Sequence, residues 1–126
     1  MGRKILIVED EESHQNLLQR LLGRAGFETF VAGDGEQGKE LLQRESFDLA
    51  IVDWNMPKMD GGQLARWIRK NSSLGRLPIL MLTVRSRPQE EALGFESGID
   101  DFLAKPYAPK ELIARVERLL SLKCGE

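Results

Sequence analysis

Four apolar runs in this sequence each end in a polar residue that could do chemistry. The run Lys4 to Val8 leads into Glu9-Asp10, Phe47 to Val52 into Asp53, Leu77 to Leu82 into Thr83, and Asp101 to Ala104 into Lys105. Taken singly, each has an ordinary explanation: a carboxylate after a strand is commonly a helix N-cap, a threonine a turn residue, a lysine a solvated charge. Gathered in one place, three carboxylates, a hydroxyl and an ammonium would be a costly cluster unless something binds there. Crowded carboxylates repel one another, and a divalent cation relieves them. An all-oxygen set with no His or Cys beside it in sequence suits Mg²⁺, or Mn²⁺. A carboxylate so placed can attack phosphorus and form an acyl phosphate. The charge developing on the phosphoryl oxygens would then be met by the cation, the Lys105 ammonium and the Thr83 hydroxyl.

These residues meet only if the elements carrying them run the same way. Short continuous apolar runs, with Phe27 to Ala32 as the remaining one, alternate with stretches in which apolar residues recur at helical spacing, the pattern of an α/β domain. The runs ending before Glu9, Asp53 and Thr83 lack polar alternation, as expected of strands covered on both faces in a parallel sheet. All their C-terminal ends then lie on one edge, where open α/β sheets bind ligands. Leu17, Leu18, Leu21, Leu22 and Ala25 make the stripe of a first helix, stopped by Gly26. Gly38, Leu41 and Leu42 mark a weaker second helix, and Leu64, Trp67 and Ile68 a third after Asp60-Gly61-Gly62. A poor fourth helix is expected over 88–97, interrupted by Gly94. The fifth begins at Pro109 and buries Leu112, Ile113, Val116, Leu119 and Leu120. With no repeat, low-complexity tract or linker, residues 1–126 are expected to form a single domain, joined by right-handed crossovers.

Composition excludes several classes of function. The 126 residues are 41% hydrophobic and 30% charged, with a net charge of -2. A chain of this length buries roughly two thirds of its unfolded surface and needs no staples. The lone Cys124 is read as a bystander, compatible with a reducing compartment. The near-neutral balance argues against nucleic-acid binding, which needs a basic excess. The apolar run Ile5 to Val8 is too short for a secretory signal, nothing reaches the length of a membrane span, and Leu6 spoils a myristoylation motif. The expected location is the cytoplasm, with no membrane contact.

The motifs Ile-Leu-Ile-Val-Glu-Asp-Glu at 5–11, Asp-Leu-Ala-Ile-Val-Asp-Trp-Asn-Met-Pro at 48–57 with Asp60-Gly61, Leu-Thr at 82–83 and Gly-Ile-Asp-Asp-Phe-Leu-Ala-Lys-Pro-Tyr at 98–107 together resemble the receiver domain of two-component response regulators. The resemblance covers essentially the whole chain. It implies a flavodoxin-like, doubly wound (βα)5 three-layer sandwich with a parallel five-stranded sheet in the order 2-1-3-4-5. It makes Asp53 the phosphoacceptor, Asp10 a metal ligand helped by Glu9, and the backbone carbonyl of Asn55 a further ligand. Thr83 would bind the phosphoryl group, Lys105 would pair with it, and Lys105-Pro106 would be a cis peptide. The phosphoryl donor would be a histidine kinase or phosphotransfer protein. The output would be a shift of the face made by the fourth helix, fifth strand and fifth helix, with Thr83 turning toward the phosphoryl group and an aromatic residue swinging inward. Such a chain is a switch that catalyses only its own phosphoryl transfer and slow dephosphorylation. Residues 1–126 are expected to hold no output domain, and the switch would act on a downstream protein or a fused domain.

Three positions depart from the family pattern. Phe102 stands where many members have Tyr, so any phenolic hydrogen bond is lost. Val84 follows Thr83 where a small residue is usual; it either narrows access to Asp53 or merely extends a strand. The segment 108–115 resembles the subfamily that dimerises through the switch face and carries a winged-helix output domain; Asp100, Asp101 and Arg115 fit a phosphorylation-dependent dimer of that kind, but Glu91 replaces a basic residue and would repel Glu111 of a second copy, which counts against it. His14 is read as a solvated helix residue, Trp54 and Trp67 as packing groups, and Arg66, Arg69, Lys70, Arg85 and Arg87 as solvated charges. Two other classes fit less well. A flavin-binding domain would meet repulsion from Glu9 to Glu12 at its phosphate loop, and a Mg²⁺-dependent aspartate-nucleophile phosphatase would want an acid where Asn55 stands.

Overall fold

The computed structural model describes residues 3–124 apart from 57, 72 and 85–97. Its strands are β1 (Lys4–Val8), β2 (Glu28–Ala32), β3 (Leu49–Asp53), β4 (Ile79–Thr83) and β5 (Asp101–Ala104). Its helices, in chain order among the described residues, are α1 (Glu12–Arg24), α2 (Gly35–Arg44), α3 (Gly61–Lys70) and α4 (Pro109–Cys124). The helix expected over 88–97 lies outside the described residues, as does Glu91. All strand pairs are parallel, in the order β2-β1-β3-β4-β5. This is the flavodoxin-like order, in which β1 and β3 lie side by side at the centre of the sheet.

The uninterrupted apolar strands are explained by a core on each face of the sheet. Alternate side chains of one strand point to opposite faces. Leu6, Val8, Ala50, Val52, Ile79 and Met81 therefore pack with Leu42 of α2 and Leu64 and Ile68 of α3. Ile5, Ile7, Leu49, Ile51, Leu80 and Leu82 pack with Leu18 and Leu22 of α1 and with Leu112, Val116 and Leu119 of α4. Each fully buried Leu or Ile contributes about 1.5–3 kcal/mol of hydrophobic stabilisation before entropy is charged against it. Trp54 and Trp67 pack against the first of these cores, as the reading of them as packing groups implied.

Strands β3 and β4 begin later than the apolar runs that announce them. Phe47 and Leu77 are buried in the core from the loops ahead of their strands. Pro78 has no N–H to donate and serves the ladder only through its carbonyl, which accepts from the Ala50 N–H at 3.0 Å. Both strands also run one residue further, so Asp53 and Thr83 are their last ladder residues.

Candidate functional site

Strand register sets the site. Val8 pairs with Val52 and Asp53 with Leu82, so the residues after β1, at the end of β3 and at the end of β4 reach the same edge. Thr83 pairs with Ala104, and the Lys105 N–H donates to the Thr83 carbonyl at 2.7 Å, which extends the ladder to the lysine. On the far side of Asp53 the chain turns sharply. The Trp54 N–H donates to Leu82 and the Gly61 N–H to the Trp54 carbonyl, so α3 starts directly behind the strand end. A Cβ at Gly61 would stand 2.5 Å from Met81 Sδ and 2.9 Å from the Asp53 carbonyl oxygen, a close approach that only glycine allows. Asp60 and Gln63 close a reciprocal capping box on α3, with bonds of 2.9 and 3.0 Å.

The five residues singled out from the sequence stand on this edge in unequal surroundings. Glu9, Asp53 and Thr83 are buried, at 2%, 4% and 1% exposure, whereas Asp10 is exposed. Carboxylate oxygens of Glu9, Asp10 and Asp53 lie within 4.8 Å of one another. Lys105 Nζ stands 3.3 Å from Asp53 Oδ1 and 3.6 Å from Glu9 Oε1. The Asn55 N–H donates to Asp53 Oδ1 at 3.3 Å. The Lys105-Pro106 peptide is cis. Phe102 is buried with its ring centroid 6.3 Å from that of Trp54. Val84 does not extend β4; it lies just past the strand and is 60% exposed.

The two buried carboxylates are held at opposite ends of their titration range. Burial, followed by the neighbouring Glu9 charge, raises Asp53 from 3.8 to about 6, against the pull of Lys105. Burial acts on Glu9 in the same direction, but hydrogen bonds from His14 and the Glu11 N–H, with the Lys105 charge, hold it down at about 2. The strain of crowding thus falls on Asp53. An all-oxygen set around one ammonium is the donor chemistry a hard divalent cation takes, so the residues present fit Mg²⁺.

One participant was not visible in the sequence. His14, read above as a solvated helix residue, has its side chain only 11% exposed. Its Nδ1 lies 2.5 Å from Glu9 Oε1 and its Nε2 2.8 Å from the Tyr107 hydroxyl. Of the basic residues of the third helix read as solvated, Arg66 and Lys70 are exposed, but Arg69 is not a free surface charge. It donates to the carbonyls of Gly98, Gly75 and Leu77 at 2.8, 3.0 and 2.6 Å and to Asp100 at 2.7 Å, tying α3 to the loops around β4 and β5. The sequence signals are weak: Glu9 is five residues from His14 across a strand end, Tyr107 is 93 residues away, and the backbone carbonyls that Arg69 meets have no side-chain signature.

Residues 5–117 match the family described as the response regulator receiver domain. The transcriptional regulatory protein GltR of Pseudomonas aeruginosa is 42% identical over 119 residues, which is 94% of this chain and 49% of that protein. The chain spans about half the length of the curated relatives it matches. Among solved structures, a response regulator from Chloroflexus aurantiacus superposes with a TM-score of 0.92 at 35% identity, covering 96% of this chain and 99% of that one. The receiver domain of a sensor histidine kinase from Pseudomonas aeruginosa, described with a magnesium ion coordinated in its active site cleft, superposes with a TM-score of 0.89 at 29% identity over 96% of this chain and 99% of that one.

Proposed function

The chain belongs to the response regulator receiver family, and on that footing we propose that it is a Mg²⁺-dependent phosphoryl switch with Asp53 as the acceptor. The observation that carries this reading is the crowding of three carboxylates within 4.8 Å around Asp53, with Lys105 Nζ 3.3 Å away. A carboxylate oxygen of Asp53 attacks phosphorus, the bond from phosphorus to the donor breaks, and a new P–O bond leaves an aspartyl phosphate. The donor is a histidine kinase or a phosphotransfer protein. Glu9, Asp10, Asp53 and the Asn55 carbonyl would hold Mg²⁺, or Mn²⁺, which when bound supplies positive charge to the phosphoryl oxygens. Lys105 releases its hold on the Asp53 carboxylate and pairs with the phosphoryl group, and Thr83 donates its hydroxyl to it. The result expected is mass gain by one phosphoryl group on incubation with a small acyl phosphate and Mg²⁺, read by intact mass spectrometry. No gain with Mg²⁺ present, or an equal gain in excess chelator, would refute the reading.

The output is a change in the face carried by Phe102, β5 and α4, acting on a downstream protein or on an output domain joined to this one. The chain acts as a signalling switch rather than as an enzyme on other substrates, in the cytoplasm and without direct nucleic-acid contact. Among the described residues no helix is long and apolar enough to cross a membrane. Charges on the output face are paired within one chain: Asp101 with Arg115 and Arg118 at 3.0 and 3.8 Å, and Asp100 with Arg69 at 2.7 Å. A dimer through this face would have to exchange those pairs, so we read the chain as a monomer there. A phosphorylation-dependent dimer in sedimentation velocity would overturn that part.

The Val84 side chain, one residue past Thr83, is exposed, and we propose that it limits the approach of water to a phosphoryl group on Asp53. Val84→Ala is expected to speed loss of the phosphoryl group by about threefold, a change of about 0.7 kcal/mol in barrier. An unchanged rate, followed by phosphate release, would remove Val84 from the mechanism.

A further inference from the structure

His14 closes a ring of contacts that the phosphoryl chemistry does not by itself require. Glu9 follows β1, His14 lies in the first turn of α1, and Tyr107 sits two residues after Lys105 on the way into α4. His14 Nδ1 meets Glu9 Oε1 at 2.5 Å, and His14 Nε2 meets the Tyr107 hydroxyl at 2.8 Å. The next residue of α1 grips the same point: Gln15 Nε2 donates to the Glu9 carbonyl at 2.5 Å. The other carboxylate oxygen of Glu9 accepts from the Glu11 N–H at 3.1 Å. Glu9 is thus held by both oxygens and by its backbone.

The polarity of the bond to Glu9 follows from which groups can donate. An ionised carboxylate only accepts, so Nδ1 carries the proton toward Glu9, while the Tyr107 hydroxyl, able to donate or to accept, can serve Nε2 in either role. With both ring nitrogens engaged and the side chain 11% exposed, His14 is not placed to accept a phosphoryl group itself.

Glu9 Oε1, the oxygen that His14 holds, is also the one 3.6 Å from Lys105 Nζ, while Asp53 Oδ1 is 3.3 Å from the same ammonium. Two carboxylates compete for one lysine, and a cation competes with the lysine for both. We propose that His14, braced by Tyr107, is a positioning residue that shares Glu9 Oε1 with Lys105 and keeps that oxygen from closing the remaining 3.6 Å to the ammonium, so that Glu9 stays available to the divalent cation while the lysine keeps its shorter 3.3 Å contact with Asp53. This rests on the cation-binding reading given above. Groups that orient a metal-binding carboxylate commonly change metal affinity by about ten- to a hundredfold when removed.

The test is Mg²⁺ binding to the full chain by titration calorimetry, with thermal unfolding in chelator as a folding control. His14→Leu fills the space without donating and is expected to bind Mg²⁺ about tenfold more weakly. His14→Asn places an amide donor where Nδ1 stood and is expected to recover to within about threefold of the parent, which packing alone would not predict. Tyr107→Phe keeps the ring and removes the brace; it is expected to weaken binding about two- to threefold, and to add nothing to His14→Leu. Parent-like affinity in His14→Leu, or an Asn variant as weak as the Leu variant, would overturn the proposal and leave the cation site standing. Absence of Mg²⁺ binding by the parent would overturn both.

Discussion

Asp53→Asn is expected to abolish uptake of a phosphoryl group and, in chelator at pH 7, to unfold at a higher temperature than the parent. The first effect follows from loss of the nucleophile, since an amide has no carboxylate oxygen to attack phosphorus. The second follows from the raised pKa. Folded Asp53 titrates at about 6 rather than 3.8, because burial and the Glu9 charge penalise its ionised form. Between those values the folded state binds more protons than the unfolded one, so stability falls as pH rises through the interval, and the penalty is complete above it. Glu9 does not blur the comparison. Its folded value of about 2 lies below the ordinary 4.5, so its favourable contribution is fully present above 4.5 and is lost only in stronger acid. The amide escapes the penalty but also deprives Lys105 of a partner. At about 1.4 kcal/mol for each tenfold change in the proton equilibrium, the net gain is on the order of 1–2 kcal/mol. For a domain of this size that is a rise of roughly 3–8 °C in unfolding temperature. The gain should shrink toward nothing as pH is lowered to about 4, where the parent's carboxyl is protonated in the folded state. A variant less stable than the parent at pH 7, or a gain independent of pH, would show that Asp53 is not strained by its neighbours.

Lys105→Gln should separate cation binding from phosphoryl transfer. The lysine stands 3.3 Å from Asp53 and 3.6 Å from Glu9, so it neutralises the same oxygens a divalent cation would take. Removing it takes away a competing positive charge, and Mg²⁺ affinity is expected to rise several-fold. It also takes away a charged donor aimed at the developing phosphoryl charge, and the rate at saturating Mg²⁺ should fall by about a hundredfold. A variant that loses both affinity and rate would mean the lysine serves the site as a brace; one that loses neither would exclude it from the chemistry.

Much of the site was legible because the signal is local. An apolar run that stops at a charged residue reports a strand end, and in a parallel sheet every such end faces the same edge. Glu9, Asp10, Asp53, Thr83 and Lys105 could therefore be brought together from the sequence, and the alternation of runs and stripes implied an α/β sheet. The strand order came from family motifs, because patterning alone leaves several orders open. His14 and Arg69 escaped for a common reason: a polar residue on a helix looks solvated until the fold shows which groups, near or far in sequence, turn toward it. The starts of β3 and β4 differ from the starts of their apolar runs because Phe47 and Leu77 are apolar for the core and not for the ladder.

The identity of the modified residue decides the central claim. Protein phosphorylated by a small acyl phosphate in Mg²⁺ would be reduced with borohydride, which converts an aspartyl phosphate to homoserine, then digested and sequenced by mass spectrometry. Homoserine at position 53, absent when the donor or the Mg²⁺ is withheld, is the predicted result. Homoserine at another acidic residue, or a phosphoryl group that resists borohydride and sits on His14 or a hydroxyl, would contradict it.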